Sequence, residues 1–370
     1  EAAKHADSIF LGPAEESFPR FLKDFRKKEV SKRYVSNNRT ISTIPPIRRD
    51  LIDRRLYLVP NSIVVTRGCP HHCSFCYKDA FYQGGKSFYV QQVDDALAEI
   101  DRLPGRHLYF LDDHLLGHRR FAKDLFHGMK GMGRIFQGAA TINSILDGDL
   151  IEEAAEAGLR SLFVGFESLS EDNLQQSNKR QNQGRDYEQA INRLHDLGIM
   201  INGSFVFGLD DDDSTVFTRT VDWAVECGIT TATFHIATPY PGTQFYKEML
   251  DAGRMTTHNW DLYDTRHVTF TPARMTEREL KDGYDDAYKS FYEWRNIAKA
   301  SLFHGSMKHQ IKHFCYTSGW KKFEPLWNLA IQMKKLNLMT PMLEGVLSKV
   351  TRQRHNKTLE ATATSAAPQL

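Results

Sequence analysis

The sequence predicts an α/β fold built on a parallel β-sheet, and two observations carry this prediction. First, amphipathic segments with apolar residues about 3.6 positions apart end at a glycine, as at Gly158, Gly198 and Gly228; glycine supplies the left-handed residue that closes a helix. Second, a short run rich in Phe, Val and Ile follows each of these glycines. Runs that are apolar on both faces are typical of parallel strands covered by helices.

Strands of this kind, separated by helices, are predicted at six places in the middle of the chain: 61–66, 107–112, 135–141, 161–166, 201–207 and 231–237. Strands and helices that alternate with one hand of crossover form either a barrel or an open doubly wound sheet. Both architectures bind ligands at the carboxyl ends of their strands. The polar residues that follow each strand are therefore the candidate site residues.

The two ends of the chain differ from this repeating part. Residues 1–28 contain one strand and one helix, which cannot bury an apolar face alone, and we expect them to be the last piece of a larger domain. The basic, proline-containing segment 29–50 is a predicted linker, and the repeating part is expected to fill 51–275. Residues 276–350 show a helical pattern with an aromatic stripe, and the Thr- and Ala-rich tail, 351–370, is predicted to be disordered.

Composition and the first residues exclude several classes of protein. Of the 370 residues, 41% are hydrophobic and 25% are charged, with a formal net charge of +2, so bulk charge gives no reason to expect a nucleic-acid partner. No apolar run approaches the roughly 18 residues of a membrane helix, and no membrane span is expected. The first residues lack both a Met and a secretory signal, which indicates a processed or truncated chain and predicts a cytoplasmic protein.

Three of the five cysteines, Cys69, Cys73 and Cys76, lie in one polar loop directly after the first predicted strand. An odd number of cysteines in an unsecreted chain argues against a disulfide framework, whereas thiolates suit zinc or an iron–sulfur cluster. A closed zinc site needs four ligands, and the fourth would be His71 or His72 at unusual spacing. Three thiolates on a four-iron cluster instead leave one iron open to a cofactor. A non-catalytic zinc- or cluster-binding module is the alternative.

The spacing Cys69-x3-Cys73-x2-Cys76, with Phe75 before the third cysteine, resembles the signature of the radical S-adenosylmethionine (radical SAM) superfamily. The resemblance covers about residues 50–275 and implies a partial (β/α)6 TIM-like barrel. It also implies that the three cysteines are catalytic metal ligands that hold a [4Fe-4S] cluster, with SAM bound at the open iron beside Phe75. A reductant such as flavodoxin or ferredoxin would supply the electron that cleaves SAM to a 5′-deoxyadenosyl radical.

Two further strand ends resemble segments of the cobalamin-linked branch of this superfamily. Asp112 and Asp113, after the second strand, resemble a Phe-x-Asp-Asp segment near the amino group of SAM, although carboxylates at such a position also cap helices. Glu167 and Ser168, after the fourth strand, resemble a Gly-x-Glu-Ser segment near the ribose or carboxylate of SAM. A charged Glu167 that ends an apolar strand is costly unless it is paired, which favours a functional role.

The remaining strand ends provide three more candidates. Asn143, past the third strand, either bonds the cofactor or caps the next helix. Gly208 ends a segment that begins at Gly203 and resembles the backbone that approaches the adenine of SAM, since glycine permits close approach. Tyr240 lies in Pro-Tyr-Pro-Gly-Thr after the sixth strand. This segment recurs in the cobalamin-linked branch, predicts a turn by its composition, and makes Tyr240 a candidate substrate contact.

The amino-terminal residues 5–16 resemble the last strand and helix of a Rossmann-like cobalamin-binding domain, so the resemblance adds cobalamin to the implied cofactors. The spacing Asp112-x-His114-x-x-Gly117 matches a cobalt-ligating pattern, but it overlaps the motif of the second strand and is not favoured. The two cysteines outside the loop are too few for a second cluster.

These features predict a radical SAM enzyme that abstracts hydrogen from an unknown small-molecule or lipid-like substrate. Methyl transfer with cobalamin and ring chemistry are the further reactions that the branch implies, and a cobalamin-independent radical SAM oxidoreductase is the alternative. A nucleotide-binding reductase is not favoured, because no Gly-x-Gly-x-x-Gly follows a predicted strand. The aromatic carboxyl-terminal helices either close the mouth of the barrel over the substrate or pack as ordinary core.

Overall fold

The computed structural model describes residues 2–41, 47–57, 59, 61–82, 86–321, 332–333 and 341. The strands are β1 (Ile9–Leu11), β2 (Arg33–Val35), β3 (Ser62–Ile63), β4 (Thr66–Gly68), β5 (Phe88–Val90), β6 (His107–Phe110), β7 (Ile135–Ala140), β8 (Leu159–Glu167), β9 (Met200–Phe207) and β10 (Thr231–Ile236). The helices are α1 (Ala14–Lys27), α2 (Lys78–Phe81), α3 (Val93–Arg102), α4 (Arg119–Met129), α5 (Ile142–Ile145), α6 (Leu150–Ala157), α7 (Glu171–Gln176), α8 (Tyr187–Asp196), α9 (Val216–Glu226), α10 (Gln244–Asp251), α11 (Glu277–Phe291), α12 (Trp294–Leu302) and α13 (Met307–Lys321). None of these described helices is both long enough and apolar enough to cross a membrane. The tail predicted to be disordered, 351–370, lies outside the described residues, as does most of 322–350.

A six-stranded parallel sheet forms the centre of the molecule, in the order β3-β6-β7-β8-β9-β10. Each strand pairs in parallel with the next strand of this sheet along the chain, so the order never reverses as it does in a doubly wound sheet. In the described part of the chain, β3 and β10 do not pair with each other. The predicted α/β fold is therefore confirmed, and the sequential order is that of a partial (β/α)6 barrel.

The outer face of the sheet packs against the helices. One phenylalanine from each of five neighbouring strands is at most 1% exposed: Phe110, Phe136, Phe166, Phe205 and Phe234. The rings of Phe166 and Phe205 stack with their centroids 5.5 Å apart. Burial of such rings strongly favours folding, and it holds in place the strand ends that carry the candidate residues.

The first strand of the sheet is shorter than predicted. Of the expected 61–66, only β3 pairs in the sheet, and the chain then forms β4, which pairs antiparallel with β5. The carboxylate of Asp112, after β6, accepts hydrogen bonds from the backbone N–H groups of Val65 and Thr66. Because these donors bond a side chain instead of a neighbouring strand, the backbone leaves the sheet just before the loop of residues 69–76, called the cysteine loop below.

The amino-terminal unit, made of β1, α1 and β2, forms a small aromatic cluster. β1 and β2 pair in parallel, and α1 contacts both strands. Phe10 packs against Phe21 and stacks on Tyr34, with its ring centroid 5.4 Å from each. β2 lies within the predicted linker 29–50, so that segment is not irregular throughout. The division of the chain into domains stays a prediction.

The aromatic stripe of α11 covers the open edge of β10. The hydroxyl of Tyr288 accepts the N–H of Phe234 at 3.0 Å and donates to its carbonyl at 3.2 Å. Tyr292, at the end of the helix, makes the same pair of bonds with Ala232, at 3.1 and 2.9 Å. An edge strand otherwise presents unpaired backbone groups. The aromatic side chains of this helix therefore pack on the sheet as core. They also provide hydrogen-bond partners for the edge backbone groups of β10.

Tyr292→Phe is expected to lower the free energy of unfolding by about 1–3 kcal/mol, because the buried backbone groups of Ala232 lose their partner while the ring still fills the space. Chemical denaturation of the full chain measures the change. Tyr246→Phe, which removes a hydroxyl from a partly exposed ring, is the matched control. Identical unfolding curves for Tyr292→Phe and the unchanged protein would rule out this role.

Candidate cluster and cofactor site

The cysteine loop lies between β4 and α2, close to the carboxyl end of the first strand of the sheet. Cys69, Cys73 and Cys76 are free thiols. Burial raises the pKa of the Cys69 and Cys73 thiols, and a neighbouring thiolate raises each pKa further: Cys73 acts on Cys69, and Cys76 acts on Cys73. The three predicted ligands therefore lie in one loop, close enough for their charges to interact in neighbouring pairs.

The chemistry of this group fits an iron–sulfur cluster. Against the effect of burial, the positive charges of Lys78 and Lys179 lower the pKa of Cys69, and that of Lys179 lowers the pKa of Cys73. Bound iron would favour the thiolates in the same sense, since a coordinating thiol is deprotonated. Three protein thiolates on a four-iron cluster leave one iron with a free position. The donor set therefore suits the cluster that the sequence predicts.

The zinc alternative needs a fourth ligand beside the three cysteines. Within the ranges that the structure describes, no three His, Cys, Asp or Glu side chains, the loop cysteines included, already converge on one metal position, so this geometry does not separate zinc from a cluster. His71 stacks on His114, with the ring centroids 5.6 Å apart.

Gly68 sets the direction in which the backbone enters the cysteine loop. Its φ is +82°, in the left-handed region, and a Cβ at this position would overlap the backbone carbonyl oxygen of Ser87. The same carbonyl accepts the N–H of Cys69 at 3.1 Å. Both the backbone angle and the close approach therefore require glycine.

Gly68→Ala is expected to lower the iron content of the reconstituted protein, because the added methyl group displaces the Ser87 carbonyl that holds Cys69. Gly131→Ala is the matched control, since Gly131 has a φ of +88° and none of the other residues that the structure describes comes within 4 Å of an added Cβ. The control therefore has only the backbone strain of a left-handed φ, of order 1–3 kcal/mol. Gly68→Ala has this strain and also the overlap with the Ser87 carbonyl. Iron per folded chain after anaerobic reconstitution is the measurement, and equal values in the two variants would refute the role of Gly68.

Asp112 and Asp113 hold the backbone that leads into the cysteine loop. Asp112 is 3% exposed, and its Oδ1 accepts the N–H groups of Val65, at 3.1 Å, and of the next residue. Burial raises the pKa of this carboxyl to about 7. Asp113 accepts the N–H of Gly68 at 3.1 Å through Oδ2, and its Oδ1 lies 3.4 Å from Nζ of Lys78. Both carboxylates therefore position the loop.

The helix-capping alternative for these aspartates is wrong. His118 caps α4, where its Nδ1 accepts the N–H of Phe121 at 3.1 Å. The Oδ2 atom of Asp112 is buried and has no hydrogen-bond partner of good geometry among the described residues, although the nearby hydroxyl of Thr66 lowers the pKa of this carboxyl against the effect of burial. His114, in the cobalt-ligating pattern, is 2% exposed and lies 3.1 Å from Oγ1 of Thr141 through Nε2. This burial argues against a role as a cobalt ligand.

Glu167 occupies a strained end of β8. Its φ is +65°, and the register between β8 and β9 shifts between Gly165 and Glu167. Such irregularities concentrate at functional sites. Its Oε1 accepts a hydrogen bond from Nζ of Lys179 at 2.6 Å, and the two side chains are 12% and 6% exposed. Glu167 is therefore a paired charge, and its partner Lys179 was not predicted.

Three other predicted residues take local roles in the structure. Ser168 accepts the N–H of Ser170 at 3.1 Å and shapes the start of α7. Phe75 is partly buried and packs against the main core. Asn143 is the second residue of α5, so it does not cap that helix. It lines a cavity of about 390 Å³ beside the cysteine loop, together with His71.

Gly208 has a packing reason that the sequence did not indicate. Its φ is +90°, and its N–H donates to the carboxylate of Asp212 at 2.9 Å. A Cβ at Gly208 would lie 2.8 Å from the side chain of Leu280 on α11. A Cβ on Gly203 would likewise meet Phe205 at 3.0 Å. Both glycines therefore permit close packing within the protein, whereas the sequence attributed them to the approach of a cofactor.

Tyr240 lies in the predicted turn, where its carbonyl accepts the N–H of Thr243 at 3.1 Å. The N–H of Phe245 donates to the carbonyl of Ser74, in the cysteine loop, at 3.0 Å. The start of α10, directly after this turn, therefore contacts the cysteine loop. Tyr240 is partly exposed there, and its contact with the substrate stays a prediction.

A segment that sequence reasoning missed also contacts the cysteine loop: residues 177–182, between α7 and α8. The carbonyl of Ser177 accepts the N–H of Ser74 at 2.9 Å, and the side-chain amide of Gln181 donates to Sγ of Cys73 at 3.3 Å. The second contact joins residues 108 positions apart. Polar residues without periodicity predict only a loop, so no local signal marks this segment.

A further cavity, of about 400 Å³, lies between the amino-terminal unit and the barrel. It is lined by the start of α1 at residues 12–15, by Val64 and Leu111 beside the sheet, and by Tyr89 of β5. Asp113 also lines this cavity, which places it next to the groups that hold the cysteine loop. The lining combines apolar and aromatic side chains with four charged ones, Glu15, Arg39, Arg67 and Asp113. Small-molecule sites commonly pair an apolar wall with a few polar groups that orient the ligand.

Comparison with known proteins agrees with this geometry. The family model described as the radical SAM superfamily matches residues 63–224. Bacteriochlorophyllide d C-12(1)-methyltransferase of Chlorobaculum tepidum is 31% identical over 312 residues, which cover 81% of this chain and 67% of that protein. Bacteriochlorophyllide d C-8(2)-methyltransferase of the same organism is 26% identical over 374 residues, which cover 95% of this chain and 80% of that protein. The solved structure of the radical SAM methyltransferase TsrM from Kitasatospora setae has a TM-score of 0.56 at 12% identity, over 82% of this chain and 68% of TsrM. This chain therefore belongs to the radical SAM superfamily.

Proposed function

We propose that this chain is a cobalamin-dependent radical SAM methyltransferase that acts on a tetrapyrrole-like substrate. Its membership of the superfamily makes it an enzyme with a [4Fe-4S] cluster and SAM. The observation that supports methyl transfer to a tetrapyrrole-like substrate is the 31% identity to a bacteriochlorophyllide d methyltransferase across 81% of the chain. When bound, the cluster and SAM supply a 5′-deoxyadenosyl radical that abstracts hydrogen, and cobalamin supplies a methyl group.

The proposed roles of the site residues follow from their places at the strand ends. Cys69, Cys73 and Cys76 hold the cluster. Oδ2 of Asp112 and the carboxylate of Glu167 are the proposed contacts of SAM, because both lie at carboxyl ends of parallel strands, which meet at the same edge of a barrel. The polar cavity lined by Asn143 lies beside the cysteine loop and supports a third contact.

The cavity between the amino-terminal unit and the barrel supports a large apolar ligand. Val64 and Leu111 line it and are 38% and 53% exposed, although both are apolar. Phe81 and Tyr89 line the same space. Exposed apolar side chains in a concave wall favour a ligand with a large apolar surface. A planar macrocycle, either the substrate or the ring of cobalamin, is the proposed occupant of this space.

The electron donor is proposed to be a low-potential protein such as flavodoxin or ferredoxin, and the enzyme is proposed to act in the cytoplasm. All five cysteines are free thiols. Thiols persist in a reducing compartment, whereas secreted proteins oxidise them to disulfides.

Anaerobic reconstitution of the full chain with iron and sulfide, followed by dithionite and SAM, tests the core of the proposal. We expect about four irons per chain and the release of 5′-deoxyadenosine. A reconstituted chain that binds no iron, or that binds iron and forms no 5′-deoxyadenosine, would overturn the assignment.

Addition of bacteriochlorophyllide d with and without hydroxocobalamin tests the choice of reaction. We expect a methylated product, identified by mass spectrometry, in the presence of cobalamin only. Formation of 5′-deoxyadenosine without any methylated product would reject this substrate class. An oxidised, unmethylated product that forms equally with and without cobalamin would favour the cobalamin-independent oxidoreductase.

A further inference from the structure

The segment 177–182 follows the backbone of the cysteine loop closely. The carbonyl of Ser177 accepts the N–H of Ser74 at 2.9 Å, and the side-chain amide of Asn178 donates to the carbonyl of His72 at 2.5 Å. These bonds flank Cys73 on both sides. The segment therefore holds the two neighbours of one proposed cluster ligand.

Gln181 contacts that ligand directly. Its Nε2 lies 3.3 Å from Sγ of Cys73, and the two residues are 6% and 8% exposed. An amide N–H that points at sulfur in a buried site has little competition from water, so the bond is electrostatically stronger than it would be at the surface. Gln181 therefore presents a fixed donor to the sulfur.

The segment is itself anchored to the end of β8, which limits the freedom of Gln181. The side-chain amide of Asn182, a fully buried residue, donates to the carbonyls of Gly165 and Phe166 at 2.9 and 3.0 Å. Lys179 bonds Glu167 at 2.6 Å. Gln181 lies between these two anchors, so its distance to the sulfur is set by the sheet and not by a flexible loop.

We propose that Gln181 is a positioning residue that tunes the cluster through Cys73, by raising its reduction potential. The inference rests on the proposed [4Fe-4S] cluster. A hydrogen bond to a ligating sulfur draws negative charge away from the iron, which stabilises the form that holds one more electron. The step is the uptake of one electron from an external reductant, without a proton. Gln181 thereby makes the cluster easier to reduce.

Potentiometric titration of the reconstituted full chain, followed by the electron paramagnetic resonance signal of the reduced cluster, tests this inference. Gln181→Leu removes the donor and keeps the bulk, and we expect its reduction equilibrium to become about tenfold less favourable, or ~59 mV for a one-electron couple. Gln181→Glu places an acceptor and a negative charge against the sulfur, so its potential is expected to fall further. Gln183→Leu, at a partly exposed position two residues on, is the control and should keep the original potential.

The outcomes separate this inference from the proposed function. A Gln181→Leu protein with full iron content and an unchanged potential would overturn the tuning role and leave the cluster assignment intact. An unaltered chain that takes up no iron would overturn the cluster assignment itself. If Gln181→Leu does not fold, Gln181→Met replaces it in the same titration, since Met keeps the length of the side chain without its amide. A lowered potential in Gln181→Met would support the tuning role, and an unchanged potential would overturn it.

Discussion

Cys73→Ala is expected to abolish both the cluster and the formation of 5′-deoxyadenosine. Cys73 is the one buried cysteine of the loop, and its carbonyl accepts the N–H of Cys76 at 3.0 Å, so two of the proposed ligands share one turn. Loss of a group that only supports a ligand commonly costs about 10–100-fold in metal affinity, and loss of the ligand itself should cost at least as much. Iron content, visible absorption and 5′-deoxyadenosine after anaerobic reconstitution measure the effect.

Cys315→Ala is the matched control, because Cys315 is exposed and lies on α13, outside the cysteine loop. It removes the same thiol and should leave the iron content and the activity unchanged. Thermal unfolding of both variants without metal checks that each still folds. If Cys73→Ala retained its full iron content, the assignment of the loop as the cluster site would be untenable.

The parts of this molecule that the sequence predicted depend on local pattern. Gly158 closes α6 with a φ of +119°, as its place after an amphipathic segment indicates, and β8 follows at once. The cysteine loop could be located for the same reason, since its three thiols lie within eight consecutive positions, 69–76. The comparisons confirmed the superfamily that this spacing resembles.

The partners of the polar side chains could not be predicted, because they are distant in sequence. Asp112 bonds backbone groups 46 and 47 positions away and thereby ends the first strand early. Gln181 reaches Cys73 across 108 positions. Tyr292 bonds the backbone of Ala232 across 60 positions, where the sequence showed only an aromatic stripe. In each case the sequence shows the residue type, but its hydrogen-bond partner is brought close only when the sheet assembles.

Lys179→Met is expected to lower the free energy of unfolding by about 3–5 kcal/mol, because it leaves the carboxylate of Glu167 buried without its partner. The two side chains are 6% and 12% exposed and lie 2.6 Å apart. Gly165 makes room for the pair, since a Cβ there would lie 2.5 Å from Oε1 of Glu167 and 3.2 Å from Nζ of Lys179. Chemical denaturation of the chain without metal measures the loss, so the result does not depend on the cluster.

The double variant Lys179→Met with Glu167→Gln separates the cost of an unpaired charge from the loss of a cofactor contact. With both charges removed, no ion is left buried alone, and most of the lost stability should return. The double variant lacks both the carboxylate proposed to contact SAM and the charge of Lys179 that lowers the pKa of Cys69 and Cys73, so 5′-deoxyadenosine formation should stay low although the fold is restored. Recovery of stability and activity together would mean that the pair serves the fold alone, and it would exclude Glu167 as a contact of SAM.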